Sequence, residues 1–182
     1  MTCRLLAVAL VIVSYAPLVV LTTAKVQTAF SEGFEAGGKA LYPAGNVALS
    51  TGSWYMDDAL IGKLFSDRKT GDYAARVRNL GRIRMNFNRT GAGIVSIQHA
   101  VFGSDGPSAW QLWESTDNGN TWAQVGTTVT TSSQNLQTVT FIVNNANAIR
   151  FELRKVSAGS VSDISIANRI SLDNIQISDF TK

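Results

Sequence analysis

The feature that most constrains this chain is an alternation of apolar and polar residues with a period of two, which recurs downstream of residue 30. In the segment 148–156, for example, Ile149, Phe151 and Leu153 alternate with charged residues. A period of two sends successive side chains to opposite faces of a strand, so that one face is buried and the other is wet. Helical spacing of apolar residues is nearly absent, and the sequence therefore predicts an all-β fold.

Turn-forming residues divide this region into short strands. Clusters rich in Gly, Asn and Asp, such as 90–93, 103–107 and 118–119, interrupt the alternation. About nine strands at this spacing are typical of a sandwich or a barrel. The predicted strands are 47–54, 73–79, 82–88, 94–101, 109–115, 121–126, 136–143, 148–156 and 170–177.

Residues 1–24 have the layout of a secretory signal peptide. A basic residue, Arg4, precedes an apolar run that ends in small residues at Ala24. A second small-residue site puts the cut as late as residue 29. The run is at the short end of what crosses a bilayer and contains Pro17, so we expect a secreted or cell-surface protein with no stable membrane insertion. Residues 30–182 then form one β-sandwich domain.

The inventory of reactive residues argues against common enzyme classes. Cys3 is the only cysteine and lies in the predicted leader, and His99 is the only histidine. A cysteine–histidine dyad and a multi-histidine zinc site are therefore excluded. No G-x-S-x-G elbow accompanies His99, which favours a hydrogen-bonded structural histidine. Glu114 and Glu152 leave a carboxylate pair for glycoside cleavage open, although solvent-facing charge is the favoured interpretation.

An Asp-box and five further motifs carry a family resemblance. Residues 115–122 fit the pattern S-x-D-x-G-x-T-W, which predicts a hairpin whose Asp side chain bonds its own turn. The other motifs are segments 30–35, 51–59, 66–69, 75–79 and 169–175. Together these motifs resemble the jelly-roll β-sandwich accessory modules attached to secreted bacterial non-specific endonucleases. The resemblance implies a jelly roll, with catalysis in a neighbouring domain. No Asp-Arg-Gly-His motif is present, because Lys69 follows Asp67-Arg68, so the nuclease activity is not carried over.

Four closely spaced arginines are the most unusual local feature. Arg76, Arg78, Arg82 and Arg84 flank the turn signal 79–81, and a hairpin there would gather them on one face. Like charges on one face repel one another, so either acidic neighbours such as Asp57, Asp58 and Asp72 or an anionic partner must compensate them. An extracellular polymer is the expected partner, with acidic glycan, phosphate or nucleic acid among the candidates.

Exposed aromatic rings provide a second kind of candidate site. Trp54, Tyr55 and Trp113 offer flat faces for sugar rings or bases, whereas core packing is the commoner use of tryptophan. In the strand 109–115, Trp110 and Trp113 point to opposite faces, so only one of them can belong to the core. The outward ring is a candidate platform.

A structural calcium ion is implied by the resemblance. The apolar phase of the last strand shifts at Asp173-Asn174, which predicts a bulge there. In the modules that the chain resembles, an acidic residue of the opening segment and an Asp of the closing strand often meet at calcium. The matching residues are Glu35, with Glu32 as a further candidate, and Asp173. A carboxylate that caps turn amides at the bulge is the alternative.

These observations predict a secreted, non-catalytic binding or accessory module that recognises carbohydrate or another extracellular polymer. A purely structural or protein-interaction domain is the second possibility. A glycoside hydrolase with an unrecognised carboxylate site is the third.

Overall fold

Nine strands make up the computed structural model, which describes residues 30–156 and 167–182. No helix occurs in these two ranges, so the predicted all-β class is confirmed. The predicted leader lies outside the described residues, which contain no helix long and apolar enough to cross a membrane. The strands are β1 (Phe30–Glu32), β2 (Gly45–Leu49), β3 (Gly52–Gly62), β4 (Ala74–Met85), β5 (Arg89–Val101), β6 (Ser108–Ser115), β7 (Ala123–Thr131), β8 (Gln137–Val156) and β9 (Ile170–Ile177).

The strands form a sandwich because two long strands, β4 and β8, each pair with strands of both layers. All pairings are antiparallel, in the order β2-β3-β4-β9-β5-β8-β6-β7, with β1 added to β9 and a further contact between β4 and β8. The first part of β8 pairs with β5, and its last residues pair with β6 and β4. We call β2, β3, β4, the end of β8, β6 and β7 the front sheet. The back sheet is β1, β9, β5 and the start of β8.

The core lies between the two sheets. In the front sheet Met56, Ile83, Leu153 and Leu112 are paired in one row across four strands. All four are almost completely buried and belong to one cluster with back-sheet residues such as Ile97. The predicted jelly-roll β-sandwich is confirmed, and the alternating residues of these strands must project outwards.

Two predicted strand breaks are wrong, because bulges absorb the turn residues. The segments 73–79 and 82–88 do not form a hairpin but lie largely in β4, whose register with β3 shifts opposite Asp58. Asn79 has a φ of 48°, a left-handed conformation that asparagine tolerates, and its side chain donates to Asp58 at 3.2 Å. A Cβ at Gly81 would lie 2.6 Å from a backbone oxygen, so this position requires glycine. Segments 136–143 and 148–156 likewise merge into β8.

The opposite error occurs at residues 47–54, where the predicted single strand is a hairpin. β2 ends at Leu49, which pairs directly with Gly52 at the start of β3. By contrast, the bulge predicted at Asp173-Asn174 is confirmed. Ser96 and Gln98 of β5 pair with Gln176 and Asp173, so β9 carries one extra residue there.

Candidate functional site

A row of four polar and aromatic side chains crosses the outer face of the front sheet. Tyr55 pairs with Arg84, Arg84 with Glu152, and Glu152 with Trp113. Directly paired residues on antiparallel strands project from the same face. The sequence produces this row because each member neighbours a core residue and points away from it. We call this surface the outer face.

A second row lies beside the first. Asp57, Arg82, Arg154 and Gln111 are paired in turn across the same four strands. The Arg154 guanidinium carbon lies 4.2 Å from the ring centre of Trp113 and 5.6 Å from that of Trp122. Arg84 stacks in the same way on Tyr55, at 4.7 Å. Tyr55 and Trp113 are therefore each paired with a guanidinium group, and these cation–π contacts stabilise the positions of both partners.

Glu152 holds the arginines of the outer face in place. Its side chain is only 1% exposed, and its carboxylate pairs with Arg84 at 3.8 Å and with Nε of Arg154. The expectation that Glu152 is solvent-facing is therefore wrong, because its carboxylate is buried and paired with two guanidinium groups. A carboxylate shared by two cations fixes the orientation of both planar donor groups. The outer face is thus preorganised.

The outer face is also weakly basic and borders a groove. Three arginines (Arg82, Arg84 and Arg154) lie close to two carboxylates (Asp57 and Glu152) on it. At one side the β4 bulge forms a groove of about 400 Å³, lined by Leu80, Arg82, Arg154, Lys155 and Val156. Such a volume suits a small ligand or one unit of a polymer.

The three aromatic candidates separate into two groups. Trp113 is half-buried and points outwards, while Trp110 is fully buried, as the alternation predicted. Tyr55 is also half-buried on the outer face. Trp54, in contrast, is fully buried against Phe34 and cannot offer its ring to a ligand. Trp54 and Tyr55 are neighbours on β3 and point to opposite faces, so the sequence already indicated that only one of the two rings could lie on the outer face.

The four candidate arginines do not form one free basic patch, because each has a carboxylate partner. Arg76 is buried and donates to both oxygens of Asp67, at 2.7 and 2.6 Å. Asp72 is not its partner. The remaining pairs are Arg78 with Asp58 at 2.9 Å, Arg82 with Asp57 at 3.7 Å, and Arg84 with Glu152. Acidic neighbours, the first of the two predicted compensations, are therefore present at every one of them.

Three outer-face residues were missing from the sequence-based set. Arg154 lies on Trp113 only because β6 and β8 pair in one particular register, whereas Gln111 is the next-but-one neighbour of Trp113 on β6, and Trp122 contacts Arg154 from the Asp-box hairpin. The Asp-box gives a partial signal for Trp122. In that hairpin Asp117 accepts hydrogen bonds from Thr121 and Asn120, which hold the pKa of Asp117 well below its usual range. The predicted hairpin is confirmed, and it places Trp122 at the edge of the outer face.

The residues considered for catalysis are not arranged as a reaction centre. His99 is buried, its Nδ1 lies 2.9 Å from the hydroxyl of Thr131, and burial lowers its pKa. Glu114 pairs with Phe151 of the core, whereas Glu152 pairs with Trp113 of the outer face. Glu114 and Trp113 are neighbours on β6, and neighbouring positions on a strand point to opposite faces. Glu114 therefore projects to the face opposite Glu152, and the two carboxylates cannot face each other across a substrate.

The three candidate calcium ligands lie at one end of the sandwich, and each caps backbone amides. Glu32 accepts from the amide of Phe34, Glu35 from the amide of Asp72, and Asp173 from the amides of Thr70 and Asn174. Burial raises the pKa of Asp173 to about 6, and the charges of Glu35 and Glu32 act in the same direction. Within residues 30–156 and 167–182, no three acidic, histidine or cysteine side chains are grouped closely enough to hold an ion.

Calcium binding would therefore require these carboxylates to turn from the amides towards the ion. A bound calcium ion would relieve the repulsion between Asp173 and its acidic neighbours. We therefore expect saturating calcium to raise the melting midpoint by about 5–10 °C. Chelator should reverse the rise, and Glu35→Gln should reduce it. If the midpoint is the same in calcium and in chelator, and elemental analysis finds no calcium, these carboxylates serve only as caps of backbone amides.

Comparisons with known proteins identify the fold. No family model matches the chain, and no curated protein matches it. A solved structure of the K2 cleaved adhesin domain of Lys-gingipain is similar, with a TM-score of 0.60 and 16% identity over 83% of this chain and 98% of that one. The CBM22-1 xylan-binding domain of Xyn10C from Paenibacillus barcinonensis is also similar, with a TM-score of 0.51 and 12% identity over 84% and 94%.

These similarities show that the chain shares its β-sandwich fold with an adhesin domain and with a xylan-binding domain. At such low identity they define the fold alone. They agree with the jelly-roll part of the predicted resemblance. The association with endonucleases remains a prediction.

Proposed function

We propose that this chain is a non-catalytic carbohydrate-binding module and that the outer face is its glycan-binding surface. The observation that carries the proposal is the row Tyr55, Arg84, Glu152 and Trp113, with Arg154 stacked on Trp113. A sugar ring has an apolar C–H face that packs on aromatic rings, and hydroxyl groups at its edge that accept hydrogen bonds from fixed donors. The outer face supplies aromatic rings for the first contact and guanidinium donors for the second.

Preorganisation supports this proposal over a purely structural role. Arg84 and Arg154 are held by a carboxylate and by aromatic rings, so a ligand need not immobilise two long flexible side chains. A protein-binding surface would instead be expected to expose a contiguous apolar patch. The large apolar side chains that are strongly exposed lie elsewhere in the described residues, except for Leu80 at the groove.

The similar xylan-binding domain supports the proposed ligand class, and the predicted leader supports secretion. We propose an extracellular, neutral or weakly acidic polysaccharide as the ligand. The catalytic alternative loses support because Glu114 and Glu152 point to opposite faces of the front sheet.

A glycan array followed by titration with the retained glycan tests the proposal. We expect Trp113→Ala to weaken binding about tenfold or more, because it removes the ring on which Arg154 and the sugar stack. The matched control is Ile142→Ala, which truncates a side chain that is 80% exposed on β8 and lies outside the outer face. Unchanged affinity in a folded Trp113→Ala variant, or no retention of any glycan by the wild type, would contradict the proposal and favour a structural domain.

A further inference from the structure

A cleft at one end of the sandwich shares no residue with the outer face. It lies between the loop that joins β3 to β4 and the loop that joins β7 to β8. Its volume is about 360 Å³, and its lining includes Phe65, Arg68, Lys69, Gln134 and Asn135. This volume falls within the range of small-ligand sites.

Arg68 is one of two cations that line this cleft, and its side-chain donors are largely unused. Its Nε is buried and has no hydrogen-bond partner. Its Nη2 reaches only the carbonyl oxygen of Gly103 at 3.4 Å and the side-chain oxygen of Gln134 at 3.5 Å. These distances lie at or beyond the outer limit of an N–H···O bond. Arg76, in contrast, donates twice to Asp67 at 2.7 and 2.6 Å.

The nearby carboxylates are held by other donors, and none of those in the described residues forms a salt bridge with Arg68. Asp67 is fixed by Arg76, and its side chain is completely buried. Glu35 accepts the amide of Asp72, and Asp173 accepts the amide of Thr70. A planar guanidinium with free donors is suited to bind a carboxylate in a bidentate manner.

Phe65 places an exposed ring beside this cation. The residue is 91% exposed, and the Arg68 guanidinium carbon lies 5.9 Å from the ring centre, so one face of the ring is free. Gln134 and Asn135, from the loop that joins β7 to β8, also line the cleft, and the side-chain oxygen of Gln134 lies beside Arg68. Lys69 stabilises the loop by donating to the carbonyl oxygens of Leu64 and Asp67, at 2.8 and 3.3 Å.

We propose that this cleft is a second binding site and that it takes an acidic sugar, a uronic acid unit. The carboxylate binds to the Arg68 guanidinium, the sugar ring packs on Phe65, and Gln134 and Asn135 bond the hydroxyl groups. The site is independent of the glycan-binding function proposed for the outer face.

A matched pair of probes isolates the carboxylate: trigalacturonic acid and its fully methyl-esterified form, titrated by calorimetry. We expect the acid to bind at least tenfold more tightly than the ester. Arg68→Gln should remove this preference, and Phe65→Ala should weaken both probes. Phe65 is almost fully exposed and the Arg68 side chain makes only long hydrogen bonds, so both variants should keep the wild-type melting midpoint. Lys63→Gln, an exposed residue of the same loop, is the control for a loss of charge.

The site of binding is read from amide chemical shifts during the same titrations. Shifts at Thr70, Gly71 and Asn135 support the proposal, and they are expected in the Trp113→Ala variant as well. Equal affinity for acid and ester, no binding of the acid, or shifts confined to the outer face would overturn it. A preference retained by Arg68→Gln would do the same.

Discussion

Replacing Asp67 by alanine is expected to lower the free energy of unfolding by about 3 kcal/mol, because it leaves a buried guanidinium without its carboxylate. The Asp67 side chain is completely buried, and that of Arg76 is 10% exposed. Asp67 also accepts the amide of Leu64 at 2.8 Å, so the loop that follows β3 loses an anchor as well. Urea unfolding monitored by tryptophan fluorescence measures the change.

A control pair and a rescue variant separate this explanation from a general effect of removing an acid. Asp58→Ala removes the pair with Arg78, in which both side chains are more than one-third exposed, and the 3.2 Å hydrogen bond from Asn79, so its cost should stay at about 1 kcal/mol. Arg76→Met combined with Asp67→Ala should recover part of the loss, since no unpaired charge stays buried. Equal losses in Asp67→Ala and Asp58→Ala would show that burial of the pair contributes nothing.

Replacing Glu152 by glutamine is expected to lower the free energy of unfolding by about 2 kcal/mol and to weaken glycan binding at least tenfold. The change keeps the side chain's size but removes the charge that Arg84 and Arg154 share. The stability loss is smaller than for Asp67, because these arginines are about one-third exposed. Affinity falls because the two guanidinium groups lose their fixed orientation.

Glu114→Gln is the matched control on the same sheet. Glu114 is half-buried, projects to the opposite face, and has a pKa raised by burial, so neutralising it should cost little. Thermal melting compares the stability of the two variants, and glycan titration compares their affinities. A Glu152→Gln variant that binds as tightly as the wild type would show that the shared carboxylate does not organise the site. Loss of any glycan turnover in both variants would instead indicate a hydrolase.

Strand content was predictable because it depends on local alternation. Val95 and Ile97, or Ile149, Phe151 and Leu153, mark their own inward faces without reference to any other strand. The breaks at residues 79–81 and 144–147 were not predictable in this way. A bulge and a turn use the same residue types, and only the partner strand decides between them.

The candidate site was predictable in its parts and not in its assembly. Tyr55, Arg84 and Trp113 were recognised from residue type and strand phase, yet Glu152 joins them only through pairings between distant strands. The same limit explains Arg76, whose partner Asp67 comes from the loop before β4 and not from a neighbouring strand. Register is set by the whole sheet, so local patterns do not contain it.

The passage of β8 from one layer to the other has a consequence for how the molecule loses its structure. Its first part is hydrogen-bonded to the back sheet and its end lies between β4 and β6 in the front sheet. Unfolding of either layer would therefore remove hydrogen-bonding partners of β8 that the other layer needs. The two layers are thus coupled into a single cooperative unit. A saccharide bound at the proposed site on the front sheet is then expected to protect the amide protons of both layers against exchange with solvent.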